Sequence, residues 1–327
     1  MERLKFLIIG IVFLILSPLL FYRLFQSDSK KASSLFVVTT VSPLTNIVYN
    51  VGGKNITLYG IVPEGVDSHT FEPAPSDAKI LSKADIVFLN GLHLETPIEK
   101  IAKTNAPKTA LVVRLGDQTI SEDEWIYDFS FPKEQGDPNP HLWMDPNNVK
   151  KYVQIIRDVF VSHDPKHKEE YEENTRKFMA KIDELDRAIT RAIQTIPPEN
   201  RKLLTYHDSF AYFAKRYGMT VIGAIQPSDF TEPNPKEVAT LINQLRKENV
   251  PAIFGSEVFP SKVLNQIAKE GGAKVISTLR DDDLPGEGTE QNHTYIGMMI
   301  ENMEKMVIPL GGSIESLRGL DPSNVVN

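Results

Sequence analysis

The 327-residue sequence contains no cysteine. Disulfide bonds, thiolate nucleophiles and cysteine-based zinc sites are therefore excluded, and so is a lipid-modified N-terminal cysteine. A bound metal ion has to be held by imidazole, carboxylate or backbone oxygen atoms. Basic residues are not in excess either, because 36 Lys and Arg face 43 Asp and Glu and give a net charge of −7. This balance argues against a general nucleic-acid-binding surface.

One long uncharged apolar run stands at the N terminus, from Phe6 to Tyr22, with basic residues on both sides. It is long for the core of a signal peptide and just long enough to span a bilayer. No small-x-small cleavage site follows closely. The sequence therefore favours an uncleaved membrane anchor at 6–22, with a cleaved signal peptide as the alternative, and residues 1–34 are assigned to this segment and a short polar linker.

From Leu35 onward, β-branched runs alternate with helical periods, a pattern typical of parallel sheets covered by helices. A similar order of strands and helices returns after residue 200. Two related tetrapeptides, E-P-A-P at 72–75 and E-P-N-P at 232–235, precede corresponding helices and suggest an internal duplication. The predicted strands are 35–40, 56–61, 85–89 and 111–115 in the first half, and 202–206, 220–225, 252–255 and 274–278 in the second.

A long helix is predicted over 166–196, between the two halves. Apolar side chains recur there at helical spacing, and Pro197 and Pro198 end the pattern. A rod of this length limits how far two α/β halves can move apart. The apolar positions are Tyr171, Phe178, Ile182, Leu185, Ile189, Ile193 and Ile196.

Three of the seven histidines lie at or beyond the predicted carboxyl ends of strands. His69 stands in a turn-rich loop, His141 in a loop before a helix that Asp145 is expected to cap, and His207 directly after a strand. The run Asp281–Asp283 follows the last predicted strand. Because ligands bind at this edge of open parallel sheets, we expect these side chains to converge.

Imidazole suits Zn, Cu, Fe and Ni, while carboxylate oxygen suits harder ions. Three imidazoles and one carboxylate fill a tetrahedral shell and leave no open position for a reacting water, which favours capture of an ion over catalysis. A metal-dependent hydrolase that uses the same histidines is the main alternative, although the sequence has no H-E-x-x-H or G-x-S-x-G motif. The remaining histidines are interpreted as surface or helix-cap residues: His93, His163, His167 and His293.

At these residues the chain resembles the TroA-like (cluster A-I, zinc/manganese class) substrate-binding proteins of ABC importers. The resemblance spans about Leu35 to Leu310 and rests on H-T-F-E-P at 69–73, N-P-H-L-W-M-D-P at 139–146, H-D-S-F-A-Y-F at 207–213 and T-Y-I-G-M-M at 294–299. It implies one divalent metal ion held between two lobes by four ligands, with Asp281 or Asp283 as alternatives to the aspartate in the middle of the run. The implied ligands are His69, His141, His207 and Asp282.

The resemblance also implies the architecture, an α/β fold of two lobes, each with a mainly parallel four-stranded sheet and surrounding helices, joined by one long rigid helix. We expect the lobes at 35–165 and 197–327 and the connecting helix at 166–196. Around the ligands or at helix caps, the resemblance points to a further group of carboxylates, namely Glu72, Asp145, Asp208 and Glu257.

The implied function is that of an extracytoplasmic solute-binding protein, not an enzyme, that delivers a divalent transition metal to the permease of an ABC importer and its ATPase. A third imidazole in place of the carboxylate usual in manganese members favours Zn(II), followed by Mn(II) and Fe(II). The stretch 118–137 holds no histidine, unlike the His-rich loop of many zinc-specific members. We expect a monomer, anchored to the outer face of the membrane or in the periplasm. Some relatives are called adhesins, so cell adhesion is a further alternative.

Overall fold

The computed structural model describes residues 34–226, 231–258 and 262–326. From Leu35 onward, these residues belong to one compact unit. The predicted membrane anchor at 6–22 lies outside the described residues. Among the helices that the structure describes, none is long and apolar enough to cross a membrane.

The first half of the chain builds a four-stranded parallel sheet with the strand order β2-β1-β3-β4. All four residues of its β3 strand, Ile-Val-Phe-Leu, are buried, as expected for a strand that is covered on both faces. The strands are β1 (Leu35–Thr39), β2 (Ile56–Gly60), β3 (Ile86–Leu89) and β4 (Leu111–Arg114). Four helices accompany them: α1 (Ser42–Gly52), α2 (Pro75–Leu81), α3 (Thr96–Asn105) and α4 (Leu115–Thr119).

Two helices follow, α5 (Pro146–His163) and the long α6 (Lys168–Gln194). With 27 residues, α6 is about 40 Å long. Its predicted apolar seam is buried. The helix starts later than predicted because Pro165–His167 form a separate 3-10 turn, in which the Asp164 carboxylate accepts hydrogen bonds from the hydroxyl of Tyr171 and binds Nδ1 of His167.

The second half repeats the first, because its parallel sheet has the equivalent strand order β6-β5-β7-β8. Two four-stranded parallel sheets and a long helix confirm the predicted fold class. The strands are β5 (Lys202–Thr205), β6 (Thr220–Ala224), β7 (Ala252–Ser256) and β8 (Lys274–Leu279). The helices are α7 (Ala211–Tyr217), α8 (Pro235–Glu248), α9 (Lys262–Gly271) and α10 (Tyr295–Val307).

The two related tetrapeptides do begin corresponding helices. Pro75 is the first residue of α2, and Pro235 is the first residue of α8. At α8, the Asn234 side chain accepts from the backbone N–H of Glu237, and the Glu237 carboxylate accepts from the N–H of Asn234. This reciprocal pair is a capping box, which satisfies backbone donors that the first turn of a helix leaves unpaired.

The last residues of the chain return to the first half. The Asn324 side-chain oxygen accepts from the amides of Asn46 (3.0 Å) and Asn50 (2.7 Å), both in α1. In α6, the Lys181 ammonium group donates to the Asp321 carboxylate at 2.7 Å. The α10 helix also packs against α6 and α1. The end of the chain therefore completes the packing of its beginning.

Candidate metal centre

Three imidazole rings meet between the two halves of the molecule. His69 lies in the loop after β2, His141 in the loop before α5, and His207 directly after β5. The Nε2 atom of His141 is 3.2 Å from the Nε2 atom of His69 and 3.2 Å from that of His207. Zinc–imidazole bonds of 2.0–2.1 Å give a tetrahedral edge of about 3.3–3.4 Å. Two of the nitrogen pairs therefore have the spacing that one coordinated ion requires, and one ligand nitrogen of each of the three rings lies within 4.8 Å of the others.

The three rings are electrically neutral at physiological pH. Burial lowers the pKa of His207 to about 3. Burial also lowers the pKa values of His69 and His141 well below the usual range, and the neighbouring imidazoles add to the effect. An imidazole has to be unprotonated to bind a metal ion. The site thus keeps its ligand nitrogens available without having to expel protons from them.

Asn139 fixes the orientation of the His141 ring. Its side-chain oxygen accepts from the backbone N–H of His141 at 3.0 Å and lies 2.9 Å from Nδ1 of the same residue. Its side-chain nitrogen donates to the Asp128 carboxylate at 2.7 Å and to the backbone carbonyl of Asp208. Because the amide nitrogen is committed to donating, the amide oxygen has to accept. Nδ1 of His141 therefore carries the proton, and Nε2 presents its lone pair to the other two rings.

A buried pair of carboxyl groups lies behind Asn139. Asp208 is fully buried, and burial together with the charge of Asp128 raises its pKa well above the usual range. Burial raises the pKa of Asp128 itself to about 6. Two carboxyl groups in one buried site cannot both ionise, so this pair retains a proton. The backbone N–H of Asp208 donates to the Ser130 hydroxyl at 3.0 Å, which ties the two halves together at this point.

The three aspartates after β8 have different partners. A carboxylate oxygen of Asp281 lies 3.1 Å from Nε2 of His207. Asp282 accepts at Oδ2 from the backbone N–H of Ser68 at 3.1 Å, while its Oδ1 is buried and has no hydrogen-bond partner among the described residues. Asp283 accepts from the N–H of Gly65 at 2.7 Å. Asp281 thus contacts an imidazole directly, whereas the predicted ligand Asp282 lies against the loop that carries His69.

These aspartates and Glu257 concentrate negative charge beside the histidines. Glu257 accepts from the backbone N–H groups of Asp281 and Asp283, each at 3.1 Å. Burial raises the pKa values of Asp281 and Glu257 well above their usual ranges and that of Asp282 to about 8. Neighbouring carboxyl groups contribute to each of these shifts. A divalent cation at this place would favour the ionised carboxylates and offset the cost of burying them.

The other predicted carboxylates lie farther from the rings or serve the backbone. Glu72 is exposed. Asp145 caps α5 by accepting from the backbone N–H of Asn147 at 2.8 Å, and it lies 3.3 Å from the guanidinium of Arg216. The same guanidinium donates to Asp186 in α6 at 2.8 Å. Asp145 is therefore a helix cap in a network that joins α5, α6 and α7.

Sequence reasoning missed Asp128, Asn139 and Ser68. Asn139 stands two residues before His141 inside a motif that the sequence analysis singled out, so a signal for it existed. Asp128 and Ser68 act through contacts between distant segments and have no local pattern. Of the histidines outside the cluster, His163 binds a carbonyl of its own helix, His167 binds Asp164, His293 lies 3.3 Å from Glu64, and His93 lies 3.5 Å from Asp137.

The sequence matches a known family over most of its length. The family described as ZnuA, zinc-uptake complex component A, periplasmic, matches residues 37–308. The manganese ABC transporter substrate-binding lipoprotein PsaA of Streptococcus pneumoniae is 33% identical over 285 residues, which cover 86% of this chain and 91% of the relative. The metal ABC transporter substrate-binding lipoprotein FimA of Streptococcus parasanguinis is 32% identical over 281 residues, which cover 86% of this chain and 90% of the relative.

A solved structure shares the fold. The periplasmic zinc-binding protein TroA of Treponema pallidum superposes with a TM-score of 0.77 at 27% sequence identity, and the match covers 85% of this chain and 99% of that protein.

We predict that Asn139→Ala loosens the His141 ring. Without the amide oxygen, Nδ1 of His141 loses its acceptor, and the ring is expected to populate both neutral tautomers. The free energy of unfolding should fall by about 1–3 kcal/mol because the buried partners of the amide lose their hydrogen bonds. Nitrogen-15 NMR of the imidazole reports the tautomer, and chemical denaturation reports the stability. Asn105→Ala, at an exposed position of α3, is the control, and a His141 ring that stays protonated only at Nδ1 in Asn139→Ala would contradict the assignment.

Proposed function

The chain belongs to the ZnuA family of periplasmic zinc-uptake components, and from this premise we propose that His69, His141 and His207 bind one divalent transition-metal ion. Proteins of this family are the substrate-binding components of ABC importers and not enzymes. The protein therefore captures a metal ion outside the cytoplasm and delivers it to a membrane permease that an ATPase drives.

One observation carries the ligand assignment, namely the convergence of three neutral imidazoles whose ligand nitrogens lie within 4.8 Å of one another, with His141 Nε2 at the tetrahedral edge length from the other two. The rings come from both halves of the chain, so a bound ion bridges the halves. A hydrolase needs an open coordination position for a water molecule. A shell closed by three imidazoles and a carboxylate has no such position, which agrees with binding and transport.

We propose Asp282 as the fourth ligand. Its Oδ2 is held by the backbone N–H of Ser68, next to His69, and its Oδ1 is buried without a hydrogen bond among the described residues. A buried carboxylate oxygen without a partner is costly, and a metal ion at that oxygen removes the cost. Asp281 is the alternative ligand, because its carboxylate oxygen lies 3.1 Å from Nε2 of His207, close to the edge length of a tetrahedral shell.

We propose zinc as the metal ion, with manganese second and iron third. Three imidazole ligands favour zinc, and zinc binds more tightly than manganese to most sites of this type. Of the related proteins, TroA is named for zinc and PsaA for manganese. The similarity to known proteins is thus compatible with either ion. The imidazole-rich ligand set supports zinc as the first choice, and the name of PsaA supports manganese before iron.

We further propose that the apolar segment at 6–22 anchors the protein to the membrane. PsaA and FimA are named lipoproteins, whereas this chain has no cysteine that could carry a lipid. A membrane-spanning segment would keep the protein near its permease by a different attachment. The protein then acts as an anchored monomer.

We expect the unit from Leu35 to Asn327 to carry about one zinc ion per chain, because the proposed shell has room for a single ion. After equilibration with equal free zinc and manganese, elemental analysis should find zinc in excess. His207→Ala should largely lose the metal, whereas His163→Gln, at an exposed position of α5, should retain it. The ligand assignment would be refuted if the wild-type protein carried no stoichiometric metal, or if His207→Ala retained its full zinc content.

The fourth ligand is tested by changing each aspartate to asparagine. Loss of a partner of a metal ligand costs about 10- to 100-fold in affinity, so loss of the ligand itself in Asp282→Asn should cost at least about 100-fold. Asp281→Asn should cost less and keep the stoichiometry, and Asp283→Asn should bind like the wild type. Competition with a chelator measures all three affinities. The opposite ranking of Asp281→Asn and Asp282→Asn would transfer the ligand role to Asp281.

Zinc binding should release protons at pH 7. Burial raises the pKa of Asp282 to about 8 in the metal-free protein, so at pH 7 its carboxyl group is protonated and must lose that proton to bind the ion. The imidazoles are already neutral and release none. We expect Asp282 to release about one proton per ion at pH 7 and less as the pH rises above 8, and Asp281 and Glu257, whose pKa values are also raised, add to this number wherever the ion ionises them. Calorimetry in buffers of different ionisation enthalpy measures this number, and a binding enthalpy at pH 7 that does not depend on the buffer would refute the expectation.

A further inference from the structure

A cavity of about 170 Å³ opens beside the histidine cluster and includes His69 in its wall. The cavity that His207 lines is much smaller, about 10 Å³. A cavity needs about 10–15 Å³ of this kind of space to hold one water, so the larger cavity has room for several waters and the smaller one is at the limit for one. An ion that still carries part of its hydration shell can therefore approach the cluster from the His69 side.

Two exposed side chains with metal-binding groups line the same cavity. His93 comes from the turn after β3, and Asp137 comes from the loop that leads to His141. Nδ1 of His93 is 3.5 Å from a carboxylate oxygen of Asp137, and each side chain is 59% exposed. Imidazole and carboxylate together accept the same first-row divalent ions as the proposed site. His93 and Asp137 therefore lie at the solvent-exposed part of a cavity whose wall also includes the proposed ligand His69.

The backbone that carries His93 is strained. Gly91, Leu92 and His93 all have positive φ angles, of 84°, 51° and 67°, a conformation that residues other than glycine rarely adopt. The turn is held from inside, because the buried Glu95 carboxylate accepts from the N–H of Gly91 at 3.1 Å and Asp117 accepts from the N–H of Leu92 at 3.2 Å. Strain of this kind persists only where the surroundings enforce it, and it is concentrated at ligand sites.

Glu95 and Asp117 hold the strained turn that carries His93, while the exposed ion pair of His93 and Asp137 contributes little to stability. We propose that His93 and Asp137 form an outer docking site for a divalent metal ion, at which an incoming ion exchanges water before it passes to His69. This inference rests on the proposed function of the histidine cluster. With two protein ligands and open access to water, the outer site holds the ion only briefly, which suits a step on a path.

A transient site on the entry path changes the rates of zinc association and dissociation but not the dissociation constant. In the full-length chain, His93→Gln and Asp137→Asn should each slow zinc association by about three- to tenfold, which stopped-flow kinetics measures. The reason is that a charged or ligating group at the mouth of a cavity raises the local ion concentration. Transfer of zinc from the protein to a chelator should slow by the same factor, so the dissociation constant stays unchanged. The matched controls are His163→Gln and Asp158→Asn, both at exposed positions of α5.

Equal rates in the His93→Gln variant and its control would overturn the outer site, while a wild-type chain without stoichiometric zinc would instead overturn the proposed function. A second experiment tests the outer site independently of the inner histidine cluster. In His207→Ala, which impairs the inner cluster, added Mn²⁺ should broaden the ring resonances of His93 in proton NMR, and additional Asp137→Asn should reduce that broadening. No broadening of His93 in either background would reject the outer site, whatever the inner cluster does.

Discussion

Three neutral imidazoles can bind one ion only if their Nε2 atoms stay together at one place, so the rest of the chain has to hold the rings in position. Asn139 does this for His141, and it uses all of its hydrogen-bonding capacity on the task. His69 follows Ser68, whose backbone is bound by Asp282. The architecture serves this constraint, because the carboxyl ends of two parallel sheets bring the loops to a common place while the strands behind them stay rigid.

The groups that hold the rings also hold the two halves together. Asp128 and Asn139 belong to the first half, and Asn139 donates to the backbone carbonyl of Asp208 in the second. In the other direction, Asp282 and Asp283 accept backbone N–H groups from the loop that carries His69. A displacement of the ligand side chains therefore alters the hydrogen bonds that join the two halves. Because α6 packs against helices of both halves, we expect such a change to produce small shifts between them rather than a wide opening.

The sequence predicted the fold well where local patterns carry the information. Alternating strand and helix periods, the apolar seam of α6 and the capping box of α8 are all local, and the repeated tetrapeptide pointed to two halves that have the same strand order. The meeting of the three histidines could be anticipated from their position after strands. The Asp128–Asn139–Asp208 network could not, because its members meet only in three dimensions. The sequence also cannot distinguish the three adjacent aspartates, because only the structure shows their separate partners. Leu92 and His93 carry no sequence signal for a backbone with positive φ angles.

The return of the chain's last residues to α1 affects how the protein is made. Asn46 finds its partner Asn324 278 positions later in the chain, so this contact forms only after residue 324 has been added. Contacts of such large sequence separation also slow folding. Until residue 324 has been added, the side-chain amides of Asn46 and Asn50 lack this acceptor, so the packing around α1 is completed only late in synthesis.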